Sequence, residues 1–299
     1  MILAQNIDKY FGDIKAIDNI SLEIKKSSVF GLVGTNGAGK STFLRLLAGI
    51  LKPDAGKITI GDAPVFENIP VKERFFYISD DQYFFSNCTP LDMRNYYARV
   101  YPNFDKPRFD ALLKSFDLSP TRKINTFSKG MKKQVSIICA IAAQTDYIFC
   151  DETFDGLDPV MRQAVKSLFA ADIIERGLTP IIASHNLREL EDICDHVGIL
   201  HKGGVILSRD LDDIKDNIHK LQCIFQKPLQ KEDFPGLDII TLHQRGSLYT
   251  IIARGNSDEI AKIISGMDPL FLELLPLSLE ELFISETEVF GYDVKKLLV

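Results

Sequence analysis

The amino-acid sequence predicts an α/β protein with a mainly parallel sheet and a smaller α+β domain after it. Two observations predict this fold. Short apolar runs alternate with segments of helical spacing through most of the chain, a pattern typical of parallel sheets covered by helices on both faces. After about residue 220 the alternation gives way to strand pairs and short capped helices. We therefore expect one domain over residues 1–215 and a second over residues 220–299.

Each element of the first domain has its own signal. Residues 1–30 alternate like strands and predict an antiparallel N-terminal part. The strand FGLVG then enters a glycine-rich turn, and KSTFLRLLAGIL has helical spacing. Residues 85–145 carry helical signals and few strand signals. The remaining predicted elements are the strand YIFCDE, the helix PVMRQAVKSLFAADIIERG, the strand TPIIASHN, the helix LRELEDICDH and the hairpin VGILHKGGVIL.

The C-terminal segment predicts a small α+β domain. Its strands are LQCIFQKP, FLELLP and the pair in LDIITLHQRGSLYTIIARG, which turns at Arg245 and Gly246. The segment NSDEIAKIISGM is predicted as a capped helix, and SLEELFISETEV begins with a capping box between Ser278 and Glu281.

Composition argues against several classes of protein. The net charge of −6 and a pI of about 5.5 disfavour a nucleic-acid partner, because no global basic field is present. Five cysteines without a CxxC pair predict reduced, mostly buried thiols. Acidic residues come too early for a signal peptide. The longest apolar stretch, 135–150, is broken by polar residues, so we expect membrane contact only through a partner.

A phosphate-binding loop is predicted between the strand FGLVG and the following helix. The segment GTNGAGKST fits the pattern G-x-x-x-x-G-K-[ST]. Its glycines let backbone N–H groups face phosphate oxygens, Lys40 supplies a point charge, and the Ser41 hydroxyl is a Mg²⁺ ligand. The expected nucleotide-binding residues here are Gly34, Asn36, Gly37, Ala38, Gly39, Lys40, Ser41 and Thr42.

Two acids and a histidine follow predicted strands. Because adjacent strand residues point in opposite directions, Asp151 and Glu152 are expected to have different roles. We expect Asp151 to hold the Mg²⁺ shell and Glu152 to act as general base on a water beside the γ-phosphate. His185 ends another strand, so we expect it in the same crevice as a γ-phosphate contact, with Lys40 completing the catalytic set.

The segment TFSKGMKKQ places cations at the start of a predicted helix with Ser128 as its N-cap. Lys129, Lys132 and Lys133 therefore lie where the helix is already positive. This arrangement favours an anion docking at the helix start, where backbone N–H groups, dipole and lysines would all face one charge.

These motifs resemble those of the ATP-binding cassette (ABC) ATPases over about residues 1–215. The matching segments are GTNGAGKST, FSKGM, YIFCDE, TFDGLDP and ASHNLRELEDICDHVGILHKG. The resemblance implies ATP and Mg²⁺ as cofactors, adenine stacking on Phe11, and a head-to-tail pair of cassettes sandwiching two ATP molecules. It also implies that Ser128, Lys129 and Gly130 contact the ATP of the other cassette. Residues 85–145 resemble the helical subdomain that docks onto transmembrane subunits.

Two positions depart from the family pattern. Lys129 stands where the signature loop usually has glycine. The family usually has a Gln in the linker to the helical subdomain. In FFYISDDQYFF, Asp80 is the residue that we prefer for that position, where it could contact Mg²⁺ or the attacking water, and Gln82 is the alternative.

The leading hypothesis is the ATPase subunit of an ABC transporter of the single-cassette bacterial exporter type, since LSLEELFISETE is similar to the ending common in that branch. The implied partners are an integral membrane permease and a second cassette, identical or not. The implied location is the cytoplasmic face of the cell membrane. The alternatives are a soluble ABC ATPase acting on ribosomes or DNA, and a non-catalytic regulatory subunit.

Overall fold

The structure is a computed structural model that describes residues 1–289, with the backbone alone described at positions 206, 212, 215 and 285–289. The chain divides into two compact units, Met1–Val205 and a second that begins at Ile206. The sequence predicted the boundary between residues 215 and 220, whereas the structural division falls within a strand.

Strands and helices alternate through the first unit. In chain order its elements are β1 (Ile2–Phe11), β2 (Ile14–Ile24), β3 (Phe30–Val33), α1 (Lys40–Leu47), β4 (Ala55–Ile60), β5 (Ala63–Pro64), α2 (Ile69–Lys72), β6 (Phe75–Ile78), α3 (Pro90–Val100), α4 (Lys106–Ser115), α5 (Lys129–Ala142), β7 (Tyr147–Asp151), α6 (Pro159–Arg176), β8 (Thr179–Ser184), α7 (Leu187–Glu191), β9 (His196–His201) and β10 (Gly204–Asp210), the strand that contains the division.

Two sheets form this unit, and they confirm the predicted fold class. The N-terminal sheet has the order β2-β1-β4-β5, and its paired strands are antiparallel. The larger sheet has the order β10-β9-β3-β8-β7-β6, and four of its pairings are parallel. Every residue of β3, β7 and β8 is buried, as expected for strands covered on both faces.

The register of the parallel strands brings three strand ends together. Val33 pairs with Ser184, and Asp151 pairs with Ala183. The carboxyl ends of β3, β8 and β7 therefore lie side by side. The loops that leave these three strands meet at one edge of the sheet, which is where α/β sheets bind ligands.

The segment inserted between β6 and β7, over residues 85–145, is helical, as predicted. Its three helices begin at side-chain caps, Thr89 for α3, Asp105 for α4 and Ser128 for α5. Proline occupies the first turn of α3 and of α4, where its missing N–H costs no hydrogen bond. The segment LRELEDICDH, predicted as one helix, is helical only over α7, because the chain turns into β9 after Asp192.

The second unit is a small antiparallel sheet with helices. Its elements are α8 (Leu211–Asn217), β11 (Ile218–Ile224), β12 (Asp238–Arg245), β13 (Leu248–Arg254), α9 (Ser257–Ser265), β14 (Phe271–Leu275) and α10 (Leu279–Val289). The strand order is β12-β13-β11-β14. The predicted capping box is present, since the Ser278 hydroxyl accepts from the Glu281 N–H and the Glu281 carboxylate accepts from the Ser278 N–H.

All five cysteines are buried and unbridged, which confirms the prediction of reduced, buried thiols. Burial raises the pKa of every one of these thiols. Among residues 1–289, no helix combines the length and the apolar character that crossing a membrane requires.

Candidate active site

The loop between β3 and α1 is held in shape by close backbone contacts. A Cβ atom on Gly34 would lie 2.7 Å from the Leu200 carbonyl oxygen. Gly39, the N-cap of α1, has a φ of 104°, and a Cβ atom there would lie 2.8 Å from the Ala16 carbonyl oxygen. Glycine is therefore required at both positions, and the loop N–H groups stay open to an anion at the start of α1.

A cavity of about 450 Å³ lies against this loop, against the start of β2 and against residues from three other loops. Lining residues that the sequence predicted are Asn36, Gly37, Gly39, Lys40, Ser41, Thr42, Asp80 and Glu152. Lining residues that the sequence analysis missed are Ile14, Lys15, Ala16, Lys202 and Gly203. Of the other two predicted loop residues, Gly34 and Ala38 are buried behind the cavity wall.

Lys40, the first residue of α1, turns its side chain back into the loop. Its side chain is only 5% exposed, and its amino group donates to the carbonyl oxygens of Gly34 at 2.8 Å and Thr35 at 3.3 Å. The same amino group lies 3.3 Å from a carboxylate oxygen of Glu152. A buried ammonium ion among oxygen atoms is placed to meet further anionic oxygens in the cavity.

Asp151 is buried with two hydroxyl donors. Ser41 Oγ donates to one of its carboxylate oxygens at 2.8 Å, and Tyr77 OH donates to the other at 3.0 Å. Burial raises the pKa of Asp151, although both hydrogen bonds act in the opposite direction. Burial, followed by the charge of Asp151, raises the pKa of Tyr77, which therefore stays a donor.

Ser41 and Asp151 suit a magnesium ion. Mg²⁺ prefers oxygen ligands and takes few of them from the protein, because phosphates and water complete its shell. The part of the chain that the structure describes holds no cluster of three or more His, Cys, Asp or Glu side chains that could bind a metal alone. A hydroxyl and a carboxylate oxygen 2.8 Å apart therefore fit an ion that arrives with phosphate.

Glu152 faces other partners than its neighbour. One carboxylate oxygen lies 3.3 Å from Lys40 Nζ, and the other lies 2.8 Å from His185 Nδ1. Its backbone has a φ of 47°, the left-handed region that non-glycine residues rarely adopt. Such strain clusters at functional sites. The structure thus brings Lys40, Glu152 and His185 together. His185 contacts the Glu152 carboxylate and not the Lys40 amino group.

Asp80 and Gln82 point to different places. Asp80 lines the cavity, and its side chain is about half exposed at 52%. Gln82 instead donates through Nε2 to the backbone carbonyls of Ser79 and Asp80, at 2.8 and 2.9 Å. The geometry therefore favours Asp80 as the residue of this loop that meets the cavity.

The start of α5 lies against the loop after β7. Ser128 caps the helix, and Lys129 is exposed with its amino group 4.0 Å from the Asp155 carboxylate. A Cβ atom on Gly130 would lie 3.2 Å from the Gly156 carbonyl oxygen. Ser128, Lys129 and Gly130 thus adjoin the segment DGLD of their own chain, and none of them lines the cavity described above.

Lys133 corrects one sequence interpretation. It was grouped with Lys129 and Lys132 as a cation that faces a docking anion. The structure buries its side chain completely, with the amino group donating to the Glu152 carbonyl oxygen at 2.6 Å. Lys133 is on the same helix face as Lys129, but it lies one turn further along α5, where the helix packs over the end of β7.

Phe11 ends β1 and is 47% exposed. It pairs across the hairpin with Ile14, which is 69% exposed and lines the cavity. A flat apolar side chain at this position, next to a residue that lines the cavity, is available for stacking.

Comparison with known proteins identifies the family of this chain. The sequence profile described as "ABC transporter" matches residues 17–155. An ABC transporter ATP-binding protein, YtrB of Bacillus subtilis (strain 168), is 30% identical over 290 residues, which cover 96% of this chain and 98% of that protein. This chain belongs to the ABC transporter ATP-binding proteins.

Two further likenesses extend over most of this ABC protein. The bacitracin transport ATP-binding protein BcrA of Bacillus licheniformis is 29% identical and covers 95% of this chain and 96% of its own length. A solved ATP-binding subunit of an ABC transporter superposes with a TM-score of 0.67 at 26% identity, covering 72% of this chain and 92% of that one. The chain is an ATPase subunit of an ABC transporter.

Proposed function

We propose that this ABC ATPase binds MgATP between its phosphate-binding loop and Asp151, and hydrolyses ATP with Glu152 as general base. The observation that carries the proposal is the convergence of five side chains at three neighbouring strand ends: Lys40, Ser41, Asp151, Glu152 and His185. Two acids with separate partners can perform two tasks, one beside the metal and one beside the attacking water.

Each side chain has a role that its contacts support. The Lys40 amino group, now among carbonyl oxygens and Glu152, would contact the β and γ phosphates. Ser41 and Asp151 would hold Mg²⁺, which when bound neutralises phosphate charge. Glu152 accepts the proton of the attacking water. His185 holds the Glu152 carboxylate when its proton is on Nδ1, and it can turn to the γ-phosphate.

We also propose a working unit of two cassettes. The exposed N-terminus of α5 supports it, because Ser128, Lys129 and Gly130 are outside the chain's own cavity and can meet the ATP of a second cassette. Phe11 would stack on adenine, and Asp80 would contact Mg²⁺ or the attacking water. The segment DGLD, which adjoins α5, would lie at the dimer interface.

The proposed membrane partner is a separate permease, contacted through the helical region 85–145. The relatives named for transport support a transport role. Export is proposed from the resemblance of LSLEELFISETE to exporter endings; its last residues have only their backbone described. The complex would lie on the cytoplasmic face of the cell membrane.

The substitution Glu152→Gln tests the site. We expect it to retain ATP binding and to lower turnover at least about 100-fold, because the amide cannot accept the water proton. Glu175→Gln, an exposed change on α6, is the matched control and should hydrolyse ATP normally. Turnover of Glu152→Gln within about threefold of the original chain would exclude Glu152 as the base.

The partner is tested by purifying the tagged protein from membranes in mild detergent. We expect an integral membrane protein to come with it. Recovery with ribosomes or DNA instead would support the soluble alternative.

A further inference from the structure

Lys133 is a buried lysine that the proposed mechanism does not use. Its side chain is fully buried on α5, with the amino group 2.6 Å from the Glu152 carbonyl oxygen and 3.4 Å from a carboxylate oxygen of Asp80. A buried charge is tolerated only with partners. Both partners belong to the cavity loops, one after β7 and one after β6.

The pair formed by Lys133 and Asp80 joins a buried cation to an anion at the cavity. Asp80 lines the cavity together with Lys40 and Ser41. A carboxylate there would repel phosphate unless a cation offsets its charge. Lys133 supplies such a cation from the protein interior, where it is held out of the solvent and cannot be replaced by an ion from the buffer.

The second contact of Lys133 acts on Glu152. The backbone of Glu152 is in the left-handed region, with a φ of 47°, and such a conformation persists only where surrounding contacts fix it. The Lys133 amino group binds the carbonyl of this same residue. Removing the amino group would free the Glu152 peptide and with it the direction of the carboxylate.

We propose that Lys133 is a positioning residue for ATP hydrolysis. It fixes the main chain of Glu152 and offsets the charge of Asp80, an anion where the resembled family has a neutral glutamine. The inference rests on the proposed function of Glu152 and Asp80. Lys133, a residue of α5, thus has a role within the site of its own chain.

A double-mutant cycle tests the pairing. We expect Lys133→Met to lower kcat/KM for ATP about tenfold, through both a misdirected Glu152 and an uncompensated Asp80. Asp80→Asn should relieve part of that loss, so the double variant should turn over ATP at least about threefold faster than additivity predicts. Because phosphate repulsion acts on binding, Asp80→Asn should relieve the change in KM that Lys133→Met causes. The loss in kcat should remain in the double variant.

Lys133→Gln is the conservative variant, since its amide can still donate to the Glu152 carbonyl. We expect it, combined with Asp80→Asn, to recover most of kcat. Lys166→Met is the matched control: Lys166 is also nearly buried and ion-paired, 3.2 Å from Asp192, but it lies outside the cavity. It should leave kcat/KM within about twofold of the original chain.

If Lys133→Met does not fold, the melting temperatures of variants at Asp80 and Asp81 test the pairing instead. Asp80→Asn should lower the melting temperature more than Asp81→Asn, its exposed neighbour, because only Asp80 partners a buried charge. Strictly additive effects of the Lys133 and Asp80 changes, on turnover and on melting, would overturn the inference. If Glu152→Gln turns over ATP normally, the proposed function fails instead, and the melting cycle still decides the pairing.

Discussion

At the scale of single residues, the site depends on two adjacent acids with opposite surroundings. Asp151 accepts hydrogen bonds from Ser41 and Tyr77 in a buried pocket, and Glu152 faces Lys40 and His185 at the cavity. They separate because β7 ends at Asp151 and the backbone of Glu152 turns into the left-handed region, with a φ of 47°. One residue can therefore keep its place beside a metal ion while the other handles a proton.

Burial makes Asp151, the proposed Mg²⁺ ligand, a source of instability for the folded chain. Since folding raises its pKa, the folded chain holds the carboxyl proton more tightly than the unfolded chain. Ionisation therefore costs folding stability once the pH rises above the ordinary pKa, and the cost grows until the folded carboxyl group is also ionised. We predict that Asp151→Asn melts about 2 °C higher at pH 7 and loses Mg²⁺-dependent turnover.

Calorimetry over pH checks this prediction. The advantage of Asp151→Asn should shrink as the pH falls towards 4, where the original carboxyl group regains its proton. The exposed change Asp62→Asn is the control and should melt like the original chain. A lower melting point for Asp151→Asn at pH 7 would show that the carboxylate's hydrogen bonds outweigh its burial.

At the scale of elements, a buried carboxylate connects the inserted helices to the main sheet layer. Asp172 on α6 is fully buried and pairs with Arg176 at 2.8 Å and with Arg108 on α4. Arg176 also donates to the Thr145 carbonyl just before β7. The contact ties α4, α6 and the start of β7 to one another.

We predict that Asp172→Ala destabilises the chain by about 3 kcal/mol, because it leaves two arginines without their shared partner. Urea unfolding measures the change. Asp110→Ala is the control, since Asp110 pairs with Arg94 near the surface and such pairs contribute about 0–1 kcal/mol. Equal losses for the two variants would mean that the Asp172 contact is no stronger than a surface pair.

Sequence patterns predicted the elements that carry continuous local signals. The buried strands β3, β7 and β8 are unbroken apolar runs, and the glycine-rich loop follows one of them directly. The short helices α2 and α8 were not predicted, because four and seven residues give too little periodicity. The predicted extent of α7 was also wrong, since the helix covers only Leu187–Glu191.

The site was predictable only where a motif names its residues. Tyr77 and Lys133 were missed as contacts of the acids because their roles depend on how β6 and α5 pack beside β7. The spacing of Phe75 and Tyr77 on β6 could have indicated that the tyrosine shares a face with the strand's core residue. Nothing in the local sequence separates the buried Lys133 from the exposed Lys129.

At the scale of the whole molecule, the proposed pairing of two cassettes depends on the exposed start of α5. The Lys129 side chain is 67% exposed. Gly130 is a poorer test position, because a side chain there would also press on Gly156 of the same chain.

We predict that Lys129→Glu weakens ATP-driven dimerisation at least about tenfold, because a carboxylate would repel the phosphates of the second ATP. Light scattering in the Glu152→Gln background, which preserves bound ATP, measures it. Lys114→Glu, an exposed change on α4, should dimerise normally, and ATP binding by the single chain should be unchanged in both. Full dimerisation of Lys129→Glu would exclude contact between this loop and a second ATP.

The buried cysteines have a practical consequence for labelling this protein with a probe. Thiolates are the reactive form of cysteine, and burial raises the pKa of Cys150 to about 12 and that of Cys223 to about 11. All five native thiols are shielded in this way. A cysteine introduced on the exposed start of α5 would thus take up a maleimide probe in an otherwise unaltered chain, and fluorescence could report whether a second cassette covers this position when ATP binds.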